Sequence, residues 1–92
     1  MDQRDEQEFA EFFVARRDAV RRSAYLLCGD WHRADDLAQT AFVSLHRHWR
    51  KIRDKGALDA YVRRTLISFD DYARQVEALI DQAGGNPDYP AA

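Results

Sequence analysis

Ninety-two residues, 46% hydrophobic and 33% charged with only four glycines and two prolines, suit one small helical domain and exclude both a disordered chain and an enzyme built around a large cofactor cavity. The single cysteine, Cys28, excludes an internal disulfide. With no basic-then-apolar leader and no apolar run near the roughly 20 residues that span a bilayer, a soluble, cytoplasmic protein without membrane contact is expected. The net charge of −2 hides an uneven distribution: seven acids and five bases over residues 1–30, four and eight over 31–67, and five and one over 68–92. The basic middle could meet a polyanion that the whole chain would repel, although an ordinary solvated surface explains the same numbers.

The first helix is predicted over about residues 5–28. Phe9, Phe13, Val20, Ala24 and Leu27 recur at helical steps until Gly29 and Asp30 interrupt them. A second helix follows from Ala34, Leu37, Ala38, Ala41, Phe42, Leu45, Trp49 and Ile52, and closes in the charged stretch "RDKG". An exposed loop around Lys51 to Gly56 leads to the third, in which Leu58, Val62, Leu66, Phe69, Ala73, Val76 and Ile80 keep the period up to "GGNPDYPAA". The expected architecture is all-α, a compact bundle of three long helices over residues 5–82, followed by a flexible tail over 83–92. Phe13, Leu37, Phe42, Leu45, Trp49, Val62 and Leu66 should share one core.

No arrangement for catalysis is legible. His32, His46 and His48 lack a paired cysteine or a ligand spacing and read as surface histidines, so no metal or other cofactor is expected. Asp35 with Asp36, and Asp70 with Asp71, are adjacent carboxylates that diverge by about 100° on a helix, which makes them solvated or helix-start residues rather than an acid/base pair. Cys28 reads as inert and partly buried.

The outer face of the second helix is harder to dismiss. With Leu37, Ala41, Phe42 and Leu45 inward, Asp36, Gln39, Thr40, Val43 and Arg47 fall along one outward stripe. Such a stripe is either a solvated helix back or a dock for another protein.

Residues 9–67, "FAEFFVARRDAVRRSAYLLCGDWHRADDLAQTAFVSLHRHWRKIRDKGALDAYVRRTLI" with the final Ile67, carry several motifs in order: an aromatic-rich first helix, "LLCGDWHRADDLAQTAF", "LHRHWRKIRD" and "ALDAYVRRTL". This order resembles region 2 of the extracytoplasmic-function sigma factors of bacterial RNA polymerase, particularly actinobacterial ones. The resemblance implies that the helix with the Asp-x-x-Gln motif, matched by Asp36 and Gln39, binds the clamp helices of the polymerase β′ subunit. The outward stripe would then be a polymerase dock. It also implies that the Lys51 to Leu58 loop, which includes Asp54, captures a flipped base of the non-template strand of the minus-ten promoter element. Arg50, Lys51, Arg53, Lys55, Arg63 and Arg64 could neutralise phosphates of that strand, and Tyr61 is either an aromatic platform or a core residue.

Two departures accompany the resemblance. Ser68 stands where an asparagine is usual, and "SFDDYARQVEALID" is acidic, keeping only Arg74 of an arginine-rich helix that lies along duplex DNA. A counterpart of the fourth region, which reads the minus-thirty-five element, is not found before Ala92. Two functions remain open: a promoter-reading, polymerase-binding domain without catalysis, or an interaction protein that uses the same fold to bind an anti-sigma factor or another helical partner.

Overall fold

The computed structural model describes residues 2–83: α1 spans Gln3–Cys28, α2 spans Trp31–Arg47 and α3 spans Leu58–Gln82, with single 3₁₀ turns at Trp49–Lys51 and Lys55–Ala57 between the last two. The expected flexible tail lies outside the described residues except for Ala83.

Local chemistry sets the ends of α1 and α2. Asp2 caps α1 by accepting from the Asp5 amide at 2.8 Å, and Asp5 and Glu6 place negative charge at its positive end. Gly29 then ends α1 at φ 73°, where its amide reaches the Tyr25 carbonyl at 2.7 Å. Only a residue without Cβ takes that conformation cheaply. Asp30, next in line, caps α2 through the amides of His32 and Arg33. A two-residue corner leaves the chain no room for anything but an antiparallel return.

Packing follows from the apolar stripes. Phe13 meets Phe42 edge-on at 4.9 Å between ring centres, and Phe9 meets Trp49 at 5.5 Å. These pairs match the start of α1 with the end of α2. Ser44 touches Tyr61 while Arg33 reaches Asp70, so α3 runs antiparallel to α2. Arg16 pairs with Asp59, and Arg74 reaches Leu27, so α3 runs parallel to α1 but displaced along it. The displacement leaves the last turns of α3 beyond the α1–α2 corner, where Leu79 is 64% exposed. Val76 and Ile80 keep the inward spacing there yet are only half-buried.

The core comprises Val20, Ala24, Ala34, Leu37, Ala38, Ala41, Phe42, Leu45, Trp49, Leu58, Val62 and Leu66. Six of the seven expected core residues are buried, and Phe13 packs half-buried against them.

Three expectations need correction. The second helix does not run to Ile52; it ends at Arg47, with Trp49 in a tighter turn. His48 causes the change: its amide is shared between the Ser44 and Leu45 carbonyls, and its ring nitrogen Nδ1 also donates to the Ser44 carbonyl at 2.8 Å. The ring is therefore half-buried, not a surface histidine. Asp70 is neither solvated nor near a helix start, since only 3% of it is exposed, whereas Asp35, Asp36 and Asp71 are exposed as anticipated. It continues the inward row of Leu58, Val62 and Leu66 at steps of four, where Arg74 and Arg33 meet its charge. Cys28 is half-buried, its Sγ donating to the Asp30 carbonyl at 3.3 Å.

Candidate functional site

Two surfaces of the bundle carry the residues singled out from the sequence, and both border α2. Asp36, Gln39, Thr40, Val43 and Arg47 are all exposed along its outer crown. Thr40 donates its hydroxyl to the Asp36 carbonyl at 2.7 Å, which leaves its methyl outward and the Asp36 carboxylate open to solvent. Val43 is 51% exposed, an apolar side chain left half uncovered.

Gln39 and Val43 also border a groove of about 560 Å³ between α1 and α2, floored by Phe9, Phe13 and Phe42. Its rim is polar: Arg21 is paired with Asp35 and lies 4.3 Å over the Trp31 ring, while His46 meets Glu6 at 3.2 Å. An apolar floor inside a charged rim is the form of a surface that receives a protruding apolar side chain and fixes its orientation. The phenylalanines of this floor were assigned only to the core. Their spacing is that of a core stripe, yet Phe9 and Phe13 are only half-buried.

The second surface starts where α2 ends. Lys51 and Arg53 are exposed and have no ion-pair partner among the described residues. Asp54 is a cap, accepting from the Gly56 amide at 2.9 Å to close the second 3₁₀ turn. Arg50 leans back to α1, 3.7 Å from Asp5. Lys55 is exposed, but its ammonium folds back onto Trp49: Nζ donates to the Trp49 carbonyl at 2.6 Å and sits 4.2 Å from the centre of the Trp49 ring. That ring is 2% exposed, so the ammonium covers the edge of the core.

On α3 the two arginines separate, because consecutive helix residues diverge by about 100°. Arg64 lines a groove of about 360 Å³ with Tyr61, Ser44, Thr65, Ser68 and Phe69, on the side facing α2. Arg63 borders a different depression, next to Arg16, Asp59 and α1. Tyr61 resolves its two readings toward the structural one. Its ring is half-buried against the core, and its hydroxyl is held by Ser44 Oγ at 2.9 Å and His48 Nδ1 at 3.2 Å. Ser44 and His48 were not anticipated as its partners; a serine within an apolar stripe gives no sign of what faces it.

Lys51, Arg53 and Arg64 are thus exposed cations without an ion pair among the described residues, Arg64 on the side facing α2 and the other two in the loop. Arg50, Arg63 and Lys55 are directed elsewhere. Among the described residues, no three histidine, cysteine or carboxylate side chains are placed to hold a metal, and no helix is long and apolar enough to cross a membrane.

Comparison with known proteins bears on the family. Residues 12–79 match the family model for sigma-70 region 2. The chain is 44% identical over 61 residues to the RNA polymerase sigma-E factor of Streptomyces coelicolor, and 46% identical over 61 residues to that of Streptomyces avermitilis. Each alignment covers 66% of this chain and 34% of the relative, so the chain spans about a third of the length of the relatives it matches. No solved structure matches it.

Proposed function

Because the chain belongs to the sigma-70 region 2 family, we propose that it is a non-catalytic domain of transcription initiation, docking on the RNA polymerase core through the crown of α2 and engaging melted minus-ten DNA through the adjoining loop. The observation that carries this reading is the crown. Five residues chosen by spacing alone stay exposed beside an apolar groove, on a helix whose other face is the centre of the core. The partner of this surface is the helical clamp of the β′ subunit, with Asp36 and Gln39 supplying polar contacts and Val43 with the groove floor supplying apolar area.

The strand would pass along Lys51, Arg53 and Arg64, with the Lys51 to Leu58 loop holding one unstacked base. Asp70 and Arg74 neutralise each other, and the remaining charges of the last turns of α3 are acidic, so duplex DNA gains nothing there. Separate binding assays with a β′ clamp-helix fragment and with single-stranded DNA test the two halves of the reading. Loss of both would leave the sigma fold without its usual duty.

A second reading is favoured by one feature, the exposed Tyr72 and Leu79 on a segment bearing Asp71, Glu77 and Asp81. An acidic helix end with uncovered apolar side chains suits a basic amphipathic helix, such as one from an anti-sigma factor. The same assays separate the two, since this reading predicts no single-strand binding.

A further inference from the structure

The segment between α2 and α3 is held by very few bonds. Its first half is closed locally, by the Lys51 amide on the His48 carbonyl at 2.9 Å and the Ile52 amide on the Trp49 carbonyl at 3.3 Å. Its second half is closed equally locally, by the Ala57 amide on the Asp54 carbonyl at 3.0 Å and the Gly56 amide on the Asp54 carboxylate. Between them Ile52 and Asp54 are extended, at ψ 99° and 98°. Two short turns joined by an extended link would hinge about that link. Among the described residues, one hydrogen bond crosses it: Lys55 Nζ to the Trp49 carbonyl.

Lys55 makes that bond against the most rigid anchor available. Trp49 is one of the three largest fully buried side chains, packed on Phe9 and Phe12 of α1. Its indole face receives the Lys55 ammonium at 4.2 Å, so the same cation binds a carbonyl dipole and a π face of one residue. One of the three ammonium donors is thus committed to the carbonyl while the ring face shares its charge, which makes Lys55 less free to follow a phosphate than Lys51 or Arg53.

We propose that Lys55 is a positioning residue, a latch that ties the second turn of the loop to Trp49 and so holds the loop in the one conformation that can read an unstacked base. The proposal rests on the strand-binding reading above for its functional half. Lys51 and Arg53 carry the phosphate contacts, and Lys55 sets the shape between them. Ordering a loop before binding removes an entropic cost at the moment the base enters, so the latch acts on affinity and base preference rather than on charge.

The difference is measurable because charge contacts leave a signature in salt. Each phosphate neutralised on a single strand contributes about −0.7 to the slope of log K against log salt. The test uses the full chain and four labelled thymidine oligonucleotides that differ only in one central base, titrated by fluorescence anisotropy at several salt concentrations. Lys55→Met, which keeps the aliphatic stem and loses the cation, should weaken binding of the preferred oligonucleotide about three- to ten-fold and shrink the spread among the four, with the slope unchanged. Lys55→Arg should restore both affinity and spread. Arg53→Ala should instead make the slope shallower by about 0.7 for all four. A Lys55→Met slope shallower by that amount with the spread retained would make Lys55 an ordinary phosphate contact and overturn the latch.

A second measurement needs no DNA. In the free protein, Lys55→Met should speed amide exchange at Ile52, Gly56 and Ala57 and shift Trp49 emission in a Trp31→Phe background, without lowering the melting temperature enough to unfold α3. Unchanged exchange and emission would overturn the latch by themselves. Absence of wild-type binding to every oligonucleotide at low salt, with exchange responding as expected, would retain the latch as a conformational device and remove the strand-binding reading instead.

Discussion

Arg74 of α3 donates from Nη2 to the carbonyl of Leu27, 2.9 Å away and 47 positions earlier, while the same nitrogen lies 3.0 Å from Asp70. The Leu27 carbonyl is one of those that the end of α1 leaves without a helical partner, and the last turn of α1 contains no basic residue. Arg74 therefore supplies from another helix both the donor and the positive charge that this terminus lacks. It also neutralises Asp70, the one buried carboxylate among the described residues. The arginine in the acidic second half of α3 is thus explained by the fold, without appeal to DNA.

Arg74→Ala should destabilise the domain. Removing one member of a buried charge pair costs about 3–5 kcal/mol, and the exposed guanidinium with Arg33 still nearby brings this case below that range, to about 2–3 kcal/mol. Denaturant melting measures it, and single-strand binding of the folded variant should be unchanged. A cycle with Asp70→Asn should show that the two losses are not additive.

Phe42→Ala removes a ring that is 5% exposed and contacts both Phe12 and Phe13. The expected loss is about 3–5 kcal/mol, a large share of the stability of so small a domain. A loss below about 1 kcal/mol in urea would contradict the packing of α1 on α2.

Asp36→Arg reverses an exposed charge at the start of the proposed dock and touches no described ion pair. Stability should hardly change, whereas affinity for a β′ clamp-helix fragment should fall by several-fold to the point of loss, measured by calorimetry. Val43→Asp should have the same effect by putting a charge against the apolar groove. Full affinity in both variants would remove the dock from this face.

Single-strand binding should depend weakly on salt. Lys51, Arg53 and Arg64 are exposed and free of ion pairs among the described residues, and three contacts give a log–log slope of about −2. Arg64→Ala should lower the magnitude of that slope, and Arg63→Ala should leave it alone because Arg63 faces the α1 side. Equal effects from the two would mean that the strand crosses α3 rather than following one side.

The helical class, the three elements and most of the core were legible because apolar side chains at steps of three and four leave a helix few ways to avoid water. The same periodicity marked the crown of α2, since whatever is not inward on such a helix is outward. Asp70 was misread: it stands four residues beyond Leu66, in the inward row, but its charge argued for the surface. Helix ends were less certain: Gly29 announced the end of α1, whereas Trp49 kept the helical period through a turn that is no longer α-helical.

Sequence by itself determined which residues are inward and which are outward, and the order of motifs determined the family, because both are properties of short separations along the chain. The tertiary structure alone decided which outward residues act together. Lys55 and Lys51 are equivalent as charges in the sequence, yet one caps a buried tryptophan and the other faces solvent. Arg63 and Arg64 are neighbours in sequence and belong to different grooves. Helix geometry turns the two arginines apart, but which groove each one meets is decided by the packing of α3 against α1 on one side and α2 on the other, through contacts between residues tens of positions apart that no local pattern encodes.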